Sequence, residues 1–371
     1  MNSKILSIHY LRGIAALLVV FFHFSIYLDN YYVQKDLGWI LFGGGAFGVD
    51  LFFMISGFVI VLSTKNSNSK SIFLVRRFFR VYPPFIFIFA IGSLTVYNSN
   101  SLLDLVRASL LIHKDYSLPS PSFGFNILGT AWTLTYELYF YLTFVIAMGI
   151  NHKYRVVLSS LFLITPILVL QLLYTGSLSF SGDASPNIPQ TNPLYGLLRF
   201  VSSPILVEFI IGMVFYEIFT KVKIKITEGT TQLILALSCG LFLTFYFGNF
   251  NNEFGMHGFG IWSIILLFGV LTYDKQIGIK ENKLFNLLGD ISFSLYISHY
   301  IFVNAIAVYS PNFFASMSGI SKFFFMTTLT GTAAIVMHNV IEKPSIKIGK
   351  RIEMFLKQKK NDIAPINKIL T

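Results

Sequence analysis

Cysteine and charge are what this chain of 371 residues has least of. Cys239 is the sole cysteine, so an intramolecular disulfide and a multi-cysteine metal site are both excluded. Charged residues make up 12% of the chain against 54% hydrophobic, and a soluble domain carries roughly twice that charge. Missing too are a linker to a soluble domain, a visible internal repeat, and a small-residue cleavage site after the first apolar run. That run holds Arg12 and His23 and therefore reads as a retained first helix, not a removed signal peptide.

What is present is a succession of apolar runs close to the roughly 20 residues that a bilayer core requires. They fall near 11–28, 46–62, 85–97, 134–150, 156–173, 205–219, 231–247, 258–273, 291–308 and 323–341. The expectation is an all-α, polytopic transmembrane bundle of about ten spans. One membrane domain fills 1–346, and a basic cytoplasmic tail follows over 347–371. The net charge of +11 does not indicate nucleic acid, because the basic residues are dispersed among spans and not gathered on one soluble face. Of the Lys and Arg residues, only Lys35, Arg107, Lys114, Arg199 and Lys322 fall outside the segments that lie inside when the N-terminus is cytoplasmic. The positive-inside rule then puts both termini in the cytoplasm, with long polar segments 98–131 and 174–204 outside.

Polar groups within spans are costly, and each asks for a reason. Arg12 and His23 lie eleven residues apart, about 1100° of helix or some 20° past three turns, so they share a face about 16 Å apart along the axis. Snorkelling for the arginine and an interhelical hydrogen bond for the histidine are the plain alternatives. Glu137 and Asp50 sit at a similar depth to His23 in the outer half, which suggests one polar site on three helices; Asp50 equally suits the role of an N-terminal cap. Arg77 and Arg80 share a face of a short surface helix, with Pro83–Pro84 setting the start of the third span. Arginine forks suit phosphate, although they also hold a loop inside. His299, beside Ser292, Ser294 and Ser298, reads as packing or as part of a site.

The ordered set LRGIAALLVVFFHF, FGVDLFFMISGFVI, FLVRRFFRVYPPF, AWTLTYELYFYL, ISFSLYISHY and IEKPS resembles the acyltransferase 3 family of bacterial membrane acyltransferases. It runs from residue 11 to about 346 in the family's order. Arg12 and His23 match the family's arginine–histidine signature. Phe52–Phe58 match its FFxISGF box, Arg77 and Arg80 its RxxR pair, and Trp132–Tyr141 its WxLxxExxFY box. Phe293 departs from it, where many members have tyrosine. With no room for a C-terminal hydrolase-like domain, the chain resembles the stand-alone branch.

The resemblance implies transfer of an acyl group from a cytoplasmic acyl-CoA, usually acetyl-CoA, to a carbohydrate hydroxyl. The acceptor is a cell-surface polysaccharide or its lipid-linked precursor, and the seat is the bacterial cytoplasmic membrane. No metal and no nucleic acid enter. Arg12, Arg77 and Arg80 are expected to hold the phosphates of the donor. His23 is expected to act as general base, its tautomer set by Glu137 or Asp50, or to carry the acyl group itself. Trp132, Tyr136 and His299 are the expected acceptor contacts, against the alternative that the aromatics merely mark the membrane interface. A flippase or polymerase of lipid-linked glycans, or an enzyme acylating a small glycoside, are the competing classes.

Overall fold

The computed structural model describes residues 4–309 and 311–369, with side chains through residue 358. The first helices are α1 (Leu6–Phe24), α2 (Leu37–Phe42), α3 (Gly48–Thr64), α4 (Lys70–Leu94) and α5 (Leu102–Ser109). They are followed by α6 (Trp132–Ile150), α7 (Arg155–Thr175), α8 (Tyr195–Val201), α9 (Val207–Lys221) and α10 (Glu228–Gly248). The chain ends with α11 (Phe259–Gln276), α12 (Lys283–Tyr309), α13 (Asn312–Ala315), α14 (Gly319–Met337) and α15 (Lys343–Ile369). Among the described residues the sole β-pairing is an isolated bridge between Ser181 and Gly255, so the expected all-α class holds.

Seven helical runs are long and apolar enough to cross a bilayer, or eight when the bent pair Tyr195–Val201 and Pro204–Lys221 counts as one span. The two expected spans outside that set, 85–97 and 258–273, are helical over 85–94, in α4, and over 259–273, in α11. Helix α4 gives its first half to Arg76, Arg77 and Arg80, and α11 ends on Asp274 and Lys275. Helices α1 and α12 run side by side and approach so closely that a Cβ on Gly13 would lie 2.7 Å from the backbone of Gly289. Gly57 of α3 and Gly212 of α9 meet the opposing backbone in the same way. Small residues permit such contact, which replaces the hydrophobic drive that lipid does not supply.

One expectation is corrected. Arg77 and Arg80 do not lie on a separate surface helix, because α4 continues from Lys70 to Leu94 through Pro83 and Pro84. A proline at 83 removes the N–H that the carbonyl of Phe79 would otherwise accept. That carbonyl instead accepts the hydroxyl of Ser345 on α15 at 2.5 Å, the kind of substitute partner that lets a membrane helix keep an internal proline. Helix α15 is bound to the same stretch by a bidentate pair from Arg76 to Glu353, at 2.7 and 2.6 Å. The tail expected over 347–371 is thus helical as far as residue 369, and its last two residues lie outside the described residues.

Candidate active site: two adjoining cavities

The first cavity, about 90 Å³, lies between α1, α3, α4, α6 and α12 and is lined by Arg12, Arg77, Arg80, Ser56, Glu137 and Tyr141, among others. Two of its three arginines are held by neutral partners. Arg12 donates to Ser292 Oγ at 2.7 Å, and Arg77 donates to Ser63 Oγ while lying against the rings of Phe73 and Tyr141. Glu137 accepts from Ser56 Oγ at 3.2 Å and from the hydroxyl of Tyr141, not from an arginine. Three guanidiniums and one carboxylate line the cavity, and with the buried Glu342 close enough to Arg12 and Arg80 to offset part of their charge, an excess of positive charge still remains in a medium that screens it poorly. An anion is what such a cavity attracts.

The second cavity, about 280 Å³, is lined by His23, Trp39, Trp132, Asn252, Glu253 and Tyr300, among others. Here the decisive groups are neutral. His23 Nδ1 lies 2.9 Å from the carbonyl of Val19 and 3.2 Å from His299 Nε2, and His299 Nδ1 lies 2.7 Å from the carbonyl of Tyr296. A carbonyl only accepts, so each Nδ1 carries the proton. His299 Nε2 is then an acceptor that shares the His23 N–H with Val19. The consequence is a His23 whose Nε2 lone pair is left for the cavity, on a ring fixed from behind.

The sequence-predicted residues therefore divide. Arg12, Arg77, Arg80 and Glu137 come together in the first cavity, and His23 and Trp132 line the second. Neither carboxylate expected to orient His23 touches it. Glu137 is engaged as described, and Asp50 is fully buried with one oxygen on the N–H of Gly255 at 2.8 Å and its carboxyl against that of Glu208, which is also fully buried. Asp50 does not cap α3 either, where no side-chain cap forms. The residue behind His23 is His299, expected at the acceptor and instead wholly buried. Tyr136 lines neither cavity, for its ring is enclosed and its hydroxyl donates to the carbonyl of Pro121 at 2.8 Å and lies 3.2 Å from Ser203 Oγ.

Sequence reasoning passed over Tyr296, Asn252, Glu253 and Trp39, which line the site, and Glu342, which accepts from Ser294 Oγ at 2.7 Å and pairs with His338 at 2.9 Å. A usable signal existed for α12. Ser292 and His299 are seven residues apart, about 700° or 20° short of two turns, so they share a face just as Arg12 and His23 do. His113, in the segment between α5 and α6, is packed among aromatic rings, and burial pushes its imidazole down to about 4. It stays neutral and serves packing.

Helices long and apolar enough to cross a membrane thus enclose a cationic cavity beside a histidine cavity. The family model described as an acyltransferase domain, acyltransferase 3, matches residues 5–338. The chain belongs to that family and is an acyltransferase. It is 28% identical over 314 residues to the exopolysaccharide production protein ExoZ of Rhizobium meliloti, covering 82% of this chain and 91% of that one. It is also 31% identical over 146 residues to acyltransferase MdmB of Streptomyces mycarofaciens, covering 36% of each. No solved structure matches.

Proposed function

We propose that this protein is an O-acyltransferase that moves the acyl group of a cytoplasmic acyl-CoA, acetyl-CoA first among them, to a hydroxyl of a surface polysaccharide or its lipid-linked precursor. Its seat is the bacterial cytoplasmic membrane, with both termini inside. The observation that carries the reading is the adjacency of an arginine cavity with uncompensated charge and a cavity into which His23 presents a bare Nε2. The polysaccharide acceptor is supported by the name of the rhizobial relative. Phosphates of the donor pair with Arg12, Arg77 and Arg80, whose forks offer two parallel donors each. The flexible thiol arm then carries the thioester toward His23.

A sugar hydroxyl is a poor nucleophile until a base takes its proton, and a positioned base contributes about 10²–10⁴-fold. His23 Nε2 accepts that proton as the hydroxyl oxygen attacks the thioester carbonyl. The tetrahedral adduct collapses with cleavage of the carbon–sulfur bond. The proton on Nε2 passes to the departing thiolate, which gives the O-acyl ester and free CoA and returns His23 to its starting state. Throughout, His299 keeps the Nδ1–H of His23 directed inward. Mass measurement of surface glycans from cells with and without the gene tests the reading. Loss of an acyl mass from the repeat is the expected result, and identical glycans with identical small glycosides would overturn it.

A further inference from the structure

Two carboxyl groups in the bundle line neither cavity. Asp50, in the first turn of α3, and Glu208, in the first turn of α9, are fully buried and lie against each other. Among the described residues no lysine, arginine or histidine pairs with either. Oδ1 of Asp50 accepts from the N–H of Gly255 at 2.8 Å, whereas its Oδ2 and both oxygens of Glu208 have no partner among the described residues. Two carboxylates pressed together away from water, with no cation beside them, repel too strongly for both to stay charged, so one keeps its proton. That proton is also the donor the remaining oxygens lack. A backbone N–H binds a charged oxygen better than a neutral one, which leaves the charge on Asp50 and the proton on Glu208.

Gly255 directly follows Asn252, Glu253 and Phe254, three residues that line the histidine cavity, in the loop 249–258 that joins α10 to α11. Asn249, Asn251 and Gly255 in this loop have left-handed backbone, with φ of 49°, 46° and 92°, a conformation that persists only where the surroundings impose it. The segment before α8 contributes two backbone bonds, from Gly182 N–H to the carbonyl of Phe254 at 2.8 Å and from Met256 N–H to that of Phe180 at 3.1 Å. Asp50 contributes the bond from α3. We propose that Asp50 and Glu208 act together as a positioning element for the glycan: the two carboxyls hold one proton between them, and the charge retained on Asp50 fixes the Gly255 N–H and with it the cavity wall formed by Asn252, Glu253 and Phe254. The inference rests on the reading under Proposed function, in which the glycan enters the histidine cavity. Asp50 is thus a positioning residue that touches neither His23 nor the donor site, and its effect falls on glycan binding.

The test uses the purified full-length enzyme in lipid nanodiscs, with acetyl-CoA as donor and unacylated surface polysaccharide from cells lacking the gene as glycan. Asp50→Ala should raise the glycan KM about tenfold or more, the scale of one charge-assisted hydrogen bond, and raise it more than it lowers kcat, while equilibrium binding of CoA stays normal. Glu208→Leu, which leaves Asp50 Oδ2 without a donor, should act in the same direction. Glu208→Gln, whose amide can donate to Asp50 as the protonated carboxyl does, should recover most of the glycan affinity. Gly255→Ala, which strains the same turn and leaves both carboxyls intact, should reproduce the KM defect and carries the test if Asp50→Ala does not fold. The infrared band of a protonated carboxyl should be present in the wild type at neutral pH and lost in Glu208→Gln. A glycan KM unmoved in Asp50→Ala and Gly255→Ala, a Glu208→Gln as impaired as Glu208→Leu, or no carboxyl band lost, as a sodium ion in place of the proton would give, overturns the positioning pair and leaves the acyltransferase reading standing. Absence of transfer to any glycan by the wild type overturns both.

Discussion

The cavity at the arginines and the cavity at His23 adjoin each other, yet they are built on opposite principles. In the first, charge is concentrated and deliberately left unfinished, with Arg12 and Arg77 held by serine hydroxyls that position a guanidinium without neutralising it. In the second, the reactive group is neutral and is aimed by backbone carbonyls and a second imidazole. An unpaired charge at membrane depth costs about 3 kcal/mol even on the lenient scale, and this cost is recovered when an anionic ligand arrives. A base needs no such completion, only a fixed tautomer and an open lone pair. On the proposed reading, binding belongs to one cavity and chemistry to the other, which predicts that substitutions in the two will be separable.

The largest effect belongs to His23. His23→Ala should lower transfer at least 10²-fold with CoA affinity unchanged, measured by turnover and by equilibrium binding on the same purified protein. If it served only as interhelical glue, the cost would be on the order of 0.6 kcal/mol of stability and turnover would stay near normal. Next comes the cationic cavity, where Arg80→Ala should weaken CoA binding about 10–150-fold, the equivalent of a charge-assisted contact worth roughly 1.5–3 kcal/mol. Lysine at 80 should restore part of that affinity, since it keeps the charge and loses the fork. Equal loss of turnover and binding in both variants would erase the division between the cavities.

A smaller effect sharpens the account of the second cavity. His299→Phe removes the acceptor behind His23 and leaves Val19 to hold the ring, so kcat should fall about 3–10-fold, in line with one net hydrogen bond of roughly 0.5–1.5 kcal/mol. KM should be unmoved, and His299→Gln, whose side-chain carbonyl can accept the same N–H, should recover most of the rate. Smallest is Tyr136→Phe, which should leave both binding and turnover intact because the ring lines neither cavity. It should cost about 1–3 kcal/mol of stability, the range for leaving the buried Pro121 carbonyl without its donor, read by thermal unfolding in detergent.

Helix periodicity made part of this site readable from the chain alone. The common face of Arg12 and His23 follows from three whole turns, and both residues do meet a single face of α12, at Ser292 and His299. The pairing of Arg77 with Arg80 follows from a three-residue step. Partners distant in sequence were not readable in that way. Asp50 and Glu208 lie on helices that sequence cannot place side by side, so depth alone suggested a carboxylate near His23 when the carboxyl is turned toward α9. The continuity of α4 depends on Ser345, 266 positions beyond the carbonyl it satisfies, so local rules ended that helix at its prolines. Tyr296 gave no signal beyond an apolar helix face, because its importance is that it borders two spaces at once.

The central claim is that donor and acceptor meet from opposite ends of one path through the bundle. Inverted membrane vesicles that contain the enzyme test it directly, with labelled acetyl-CoA supplied outside, at the former cytoplasmic face, and acceptor glycan enclosed within. The account predicts label on the enclosed glycan in the wild type and none with His23→Ala. Labelling that occurs only when donor and glycan are placed on the same side of the membrane would contradict it.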